Sequence, residues 1–150
     1  MAHQTSGSLL VGLQFATLAA QLGLALATAQ APDQPIGPLL LAAAGLALGL
    51  WALATNRPGN FNIHPTPRQD GRLIDGGPYR WIRHPMYSAL MLVGGALAWV
   101  TDSFPGWMLF LTLVCVLAIK GSLEEWLMTR AHADYAAYRA RTRAFIPFLL

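Results

Sequence analysis

The chain has 150 residues, of which 55% are apolar and only 11% charged. Soluble domains carry about 25% charged residues, so this composition excludes an ordinary water-covered globule. The net charge of +3 could suggest a nucleic-acid partner, but the basic residues are distributed as they are beside a membrane, and no nucleic acid is expected. The single cysteine, Cys115, excludes an internal disulfide framework. It lies in an apolar run and reads as a small core residue.

A bilayer core of about 30 Å takes roughly 20 helical residues. Four apolar runs approach that length: 9–29, 36–54, 85–101 and 104–122. The expected fold is therefore all-α, a single polytopic membrane domain of four transmembrane helices. A cytoplasmic loop (56–84) and a C-terminal segment (123–150) complete it. The first run is interrupted only by weakly polar residues such as Gln14 and Gln21. It lacks a basic start and exceeds the usual core of a cleaved signal peptide. The last two runs are short, and flanking residues or burial in the bundle are expected to complete them.

Orientation follows from charge. Arg57, Arg68, Arg72, Arg80 and Arg83 separate runs two and three, and Lys120, Arg130, Arg139, Arg141 and Arg143 follow run four. The other two connections carry only Asp33 and Asp102. The positive-inside rule puts both termini and the middle loop in the cytoplasm of an integral membrane protein, in the inner membrane if the cell is bacterial. Trp51 marks the inner end of the second helix, and Trp99 and Trp107 mark the outer ends of the third and fourth. Gly45 and Gly49, with Ala19, Gly23 and Ala27, allow close helix approach, either within the bundle or across a homodimer.

The middle loop contains Pro58, Pro65, Pro67 and Pro78 and four glycines, which argue against continuous regular structure. Leu73, Ile74, Tyr79, Trp81 and Ile82 supply apolar anchors for an ordered loop against the membrane. It ends in Arg83-His84-Pro85-Met86-Tyr87. Proline suits a first helical turn and keeps the preceding residue extended. A helix thus begins at Pro85 with His84 at its mouth. Free N–H groups there and the Arg83 charge would suit a carboxylate or phosphate. The plainer alternative is that Arg83 reaches lipid headgroups and His84 caps the helix.

Beyond the fourth run lie Glu124 and Glu125, adjacent acids at the membrane edge, where ionisable groups are costly and often functional. They could hold a hydroxyl pair or an ammonium, or take a proton. Solvated acids at the start of a surface helix are the alternative. Residues 134–143 read as an interfacial helix, with Tyr135 and Tyr138 on one face and Arg139, Arg141 and Arg143 offered to anionic lipid.

Gly77-Pro78-Tyr79-Arg80, then Arg83-His84-Pro85-Met86-Tyr87 with Gly94 and Gly95, resembles the isoprenylcysteine carboxyl methyltransferase family. Related phospholipid methyltransferases share much of this pattern. An acidic pair followed by Leu127, Tyr135, Tyr138 and Pro147 extends the resemblance over roughly residues 73–147. Ala131-His132 stands where the family carries Phe-Gly, and the acidic pair is one position out of register with the tyrosines. Anchored on Leu127 and Tyr135, the family's second glutamate is Glu124, with Glu125 the second choice.

The resemblance implies methyl transfer from S-adenosylmethionine to a lipid-like or prenylated acceptor, carboxylate O-methylation foremost, with no metal. The implied cofactor-binding residues are Pro78, Tyr79, His84, Pro85, Tyr87 and Glu125. Arg83 and Glu124 are implied as catalytic. Lys120 and Arg130 would position the substrate. The chemistry agrees: the cofactor's carboxylate suits Arg83 and His84, its hydroxyls and ammonium suit Glu124 or Glu125, and its sulfonium suits the faces of Tyr79 or Tyr87. A carboxylate acceptor needs no base, whereas an amine or hydroxyl would need Glu124. Two other readings stand beside this one. A sterol-reductase-like enzyme would bind NADPH, although no dinucleotide-type glycine turn is present. A non-enzymatic membrane scaffold would leave the loop motif and the acids without a role.

Overall fold

The computed structural model describes residues 2–28, 36–56 and 73–148. Among these the regular structure is helical: α1 (Ala2–Thr28), α2 (Ile36–Asn56), a 3-10 turn (Gly77–Arg80), α3 (Pro85–Thr101), α4 (Phe104–Ala131) and α5 (Tyr135–Arg141). Three helical stretches are long and apolar enough to cross a membrane, Gly7–Thr28, Ile36–Asn56 and Phe104–Ala131, while Pro85–Thr101 is apolar but shorter. Arg57, Arg68 and Arg72 lie outside the described residues.

Two helices run further than the hydropathy suggests. α1 begins at Ala2 rather than at residue 9, and α4 continues to Ala131 rather than stopping near residue 122. The segment Leu123-Glu124-Glu125-Trp126-Leu127-Met128 contains no glycine or proline, so nothing after Gly121 breaks the helix. At 1.5 Å per residue α4 is about 42 Å long, more than a bilayer core of about 30 Å. The acids therefore stand on the last turns of a continuous helix, not in a separate segment. At the opposite end, α3 stops at Asp102 in a left-handed conformation (φ 38°), and Ser103 caps α4 by accepting from the Gly106 N–H at 3.2 Å.

α2 lies close along α3. A Cβ at Gly45 would meet the Ala89 carbonyl and Val93 Cγ2 at 2.9 Å, and one at Gly37 would meet the Trp99 ring at 2.7 Å. Small residues here let the backbones approach. The Gly45 face is thus spent inside the bundle and is not open to a second copy. By contrast, Gly23 has nothing within 4 Å, and Ala19 and Ala27 are exposed. Cys115 is also exposed, on the outer surface of α4, which corrects its reading as a core residue.

The other face of α3 meets α1 and α4. Tyr87, Leu113 and Leu117 form a buried core, with Leu18, Leu90, Met91 and Phe145 packed against it. The inward edge of α1 is polar: Gln14, Thr17 and Gln21 are all buried. The start of α3, the late turns of α4 and the tail after α5 converge at one end of the bundle. That end carries the described basic residues Arg83, Lys120, Arg139 and Arg143.

Candidate functional site

The loop before α3 and the tail after α5 are joined backbone to backbone. Ile82 and Arg143 form a parallel bridge. The Arg83 N–H donates to the Arg143 carbonyl at 2.7 Å, the His84 N–H to the Ala144 carbonyl at 3.0 Å, and the Arg143 N–H to the Trp81 carbonyl at 2.9 Å. The Tyr138 hydroxyl donates to the Tyr79 carbonyl at 2.9 Å, and the Ser88 hydroxyl to the Phe145 carbonyl at 2.6 Å. His84 itself, at φ −120° and ψ 57°, departs from the extended geometry that a following proline favours, yet the loop still pairs with the tail through these bonds. The N–H groups of Arg83 and His84 serve the tail. Of the first-turn N–H groups expected to be free for an anion, that of Tyr87 donates to the His84 carbonyl at 3.0 Å. The His84 side chain makes no capping bond, which removes the reading of it as a cap.

His84 sits between the two acids. Its Nδ1 is 3.2 Å from Glu124 Oε2 and its Nε2 is 3.3 Å from Glu125 Oε1. Adjacent residues on a helix diverge by about 100°, and an imidazole with nitrogens on two edges spans the gap. Arg83 Nε donates to Glu125 Oε1 at 2.7 Å, and Arg139 Nε lies 3.1 Å from Oε2. Arg83 also donates to the Thr142 carbonyl at 2.6 Å. The Tyr87 hydroxyl donates to Glu124 Oε1 at 2.5 Å. The Tyr87 ring stacks with the His84 ring, centroids 5.4 Å apart and 7° from parallel, and Phe145 lies on the imidazole at 5.5 Å.

These contacts set the charge of His84. Burial opposes its charged form, but hydrogen bonds to Glu124 and Glu125, and their negative charges, outweigh burial and hold its pKa above the ordinary 6.5. Burial pushes the Tyr79 hydroxyl up to about 12 despite a lowering hydrogen bond from Asn56. Burial likewise raises Tyr135 and Tyr138. All three phenols are neutral at physiological pH, and none of them is a base.

The structure thus gathers Arg83, His84, Tyr87, Glu124 and Glu125 into one network. Pro78, Tyr79 and Pro85 are buried beside it and shape its loop wall. Lys120 is buried on the bundle side of Tyr87, donating to Gln14 Oε1 at 2.9 Å. Arg130 stands apart, its guanidinium 3.6 Å over the Trp126 ring. The arginines of α5 meet acids of the protein itself: Arg139 reaches Glu125, and Arg141 donates to Asp75 at 2.7 Å. Sequence reasoning missed the roles of Arg139, Thr142, Phe145 and Gln14. Gln14 had a signal, because a polar side chain inside an apolar run is unusual and demands a partner.

Glu124, with a side chain 23% exposed, is the more open of the two acids, while Glu125 is saturated by cations. No group of three or more metal-ligating side chains occurs among the described residues. Residues 34–135 match the family model described as phospholipid methyltransferase. No curated protein and no solved structure matches the chain.

Proposed function

Since the chain belongs to the phospholipid methyltransferase family, and so is a membrane methyltransferase for lipid-like substrates, we propose that its donor is S-adenosylmethionine and its acceptor a lipid carboxylate. The reading includes four membrane spans, with α3 as the short one, and a site at the cytoplasmic end. The ten basic residues, none of them in the two other connections, support that sidedness. Family membership leaves the NADPH-binding and scaffold readings without support.

One observation carries the proposal: His84 joins both acids of α4 to the loop and tail, making one polar site at the end of an apolar bundle. When bound, S-adenosylmethionine supplies a methyl group on a sulfonium, together with a carboxylate, an ammonium and a ribose diol. The donor set fits each of these. Glu124, beyond its bonds to Tyr87 and His84, keeps lone pairs that can accept from hydroxyls or an ammonium. Arg139 spends one edge on Glu125 and is 59% exposed, so it retains donors for a carboxylate. The neutral ring of Tyr79 offers a face to a cation, whereas the Tyr87 ring is already taken by His84 and Lys120. Arg83 and Glu125 act as positioning residues, clasping the tail against α4.

Catalysis then rests on holding the acceptor oxygen in line with the methyl carbon, a contribution of up to about 7–11 kcal/mol in well-oriented systems. Both oxygens of Glu124 are engaged, by Tyr87 and by His84. The cluster therefore suits an acceptor that arrives already ionised, as a carboxylate does. The family description favours a second reading, a phospholipid headgroup nitrogen as acceptor, with Glu124 taking the proton. Alkali separates the two, because a methyl ester is cleaved by it and an N-methyl group is not.

Calorimetry of S-adenosylhomocysteine on the detergent-purified protein tests the site. The wild type should bind, and His84→Ala and Glu124→Ala should each weaken binding by about tenfold or more. Unchanged affinity in both variants would remove the site assignment.

A further inference from the structure

Lys120 is 2% exposed, and no carboxylate pairs with it among the described contacts. His84, which is buried, and Arg83, which is partly buried, both sit against glutamates. Glu124 stands at i+4 from Lys120, where a helical lysine ordinarily finds its acid. That pair does not form. Glu124 gives its oxygens to Tyr87 and His84. The Lys120 side chain leans, as helical side chains do, toward the N-terminus of α4, away from Glu124 and into the bundle.

There its Nζ meets Gln14 Oε1 at 2.9 Å and stands 5.1 Å from the centroid of the Tyr87 ring. A lysine at the end of an apolar run ordinarily extends toward water. Lys120 instead points to α1. An ammonium has three donors, and one amide oxygen and one ring face leave capacity for an anion. Burying such a group with no anion is costly. The amide of Gln14 carries two N–H donors of its own.

We propose that Lys120 and Gln14 recognise an anionic oxygen group of the lipid acceptor, carboxylate or phosphate, so that charged lipids are taken in preference to neutral lipids with the same tails. This rests on the lipid methyltransferase reading and adds to it the residues that read the acceptor's charge. The Tyr87 ring beside Lys120 packs with the fully buried Leu113 and Leu117, so the ammonium stands at the border of the apolar core.

The test is equilibrium binding, which needs no turnover. Radiolabelled oleate and dioleoyl phosphatidate are compared with oleyl alcohol and dioleoylglycerol on the purified protein in neutral detergent, with S-adenosylhomocysteine calorimetry in parallel. The wild type should prefer one or both anionic probes over their neutral counterparts by about tenfold or more. A carboxylate-only or phosphate-only preference identifies which group is read. Lys120→Met should abolish the preference, Lys120→Arg should retain it, and both should keep S-adenosylhomocysteine affinity. Absence of any preference in the wild type overturns the proposal, even if Lys120→Met does not fold. So does a Lys120→Met protein that keeps the preference, or one that loses S-adenosylhomocysteine affinity alone, which would give the ammonium to the cofactor's carboxylate. Failure of the wild type to bind S-adenosylhomocysteine tells against the methyltransferase reading, and the lipid comparison is read separately.

Discussion

The two faces of α3 are built for different ends. Toward α2 it packs by close approach, with Gly45 beneath Ala89 and Val93 and Gly37 beneath Trp99. Toward α1 and α4 it meets Gln14, Gln21, Lys120 and the His84 cluster, all costly to bury. In lipid, close packing of small residues suffices to hold helices together. A polar face in the same bundle gathers groups that are costly at membrane depth, and it is this face to which the proposed function gives the ligands.

The sharpest way to break that contrast is Glu125→Ala. It strips the carboxylate from the buried His84, the partly buried Arg83 and the exposed Arg139. A loss of about 3–5 kcal/mol is expected, read as a large fall in thermal midpoint in detergent, together with loss of S-adenosylhomocysteine binding. Gly45→Leu attacks the other face. Overpacking should cost about 1–3 kcal/mol, while the folded protein keeps S-adenosylhomocysteine affinity within about twofold, because distant sites act independently. An affinity loss as large as that of Glu125→Ala would show that the faces are not separate.

A smaller effect concerns His84. Its pKa is raised above 6.5 by the two glutamates. A raised pKa means the charged imidazole contributes stability that is complete below about 6.5 and is lost as pH rises through the raised value. Stability should therefore fall across that window by at most about 1.4 kcal/mol per pH unit, read as a declining thermal midpoint, and His84→Gln should flatten the profile. The smallest effect is expected of Gln21→Leu. Gln21 Nε2 donates to the Gly94 carbonyl at 3.1 Å, but its Oε1 is buried without a partner. Losing one bond and one unmet acceptor together should change stability by no more than about 0.5 kcal/mol.

Much of this architecture is legible in the sequence, and the limits have physical causes. Pro85 announces the start of α3, because proline fixes the first turn. The Arg83-His84-Pro85-Met86-Tyr87 motif and the acids of α4 identify the residues that meet. Their wiring was not legible. The Ile82–Arg143 bridge joins segments far apart in the chain, and no local pattern shows that Arg83 will spend its guanidinium on Glu125. The end of α4 is misplaced by hydropathy because the apolar run stops near residue 122, whereas the helix-forming residues after it carry the helix on to Ala131. The polar edge of α1 was visible as Gln14, Thr17 and Gln21 at helical spacing. Its meaning emerges only once Lys120 is seen pointing at it.

The central claim is methyl transfer to a lipid at the His84–Glu124–Glu125 site. The most direct test incubates the purified protein with a lipid extract and S-adenosylmethionine carrying a deuterated methyl group, with mass spectrometry of the products. The account predicts a labelled, alkali-cleavable lipid methyl ester with the wild type and none with His84→Ala or Glu124→Ala. Absence of label in any lipid with the wild type, or label undiminished in both variants, would contradict it.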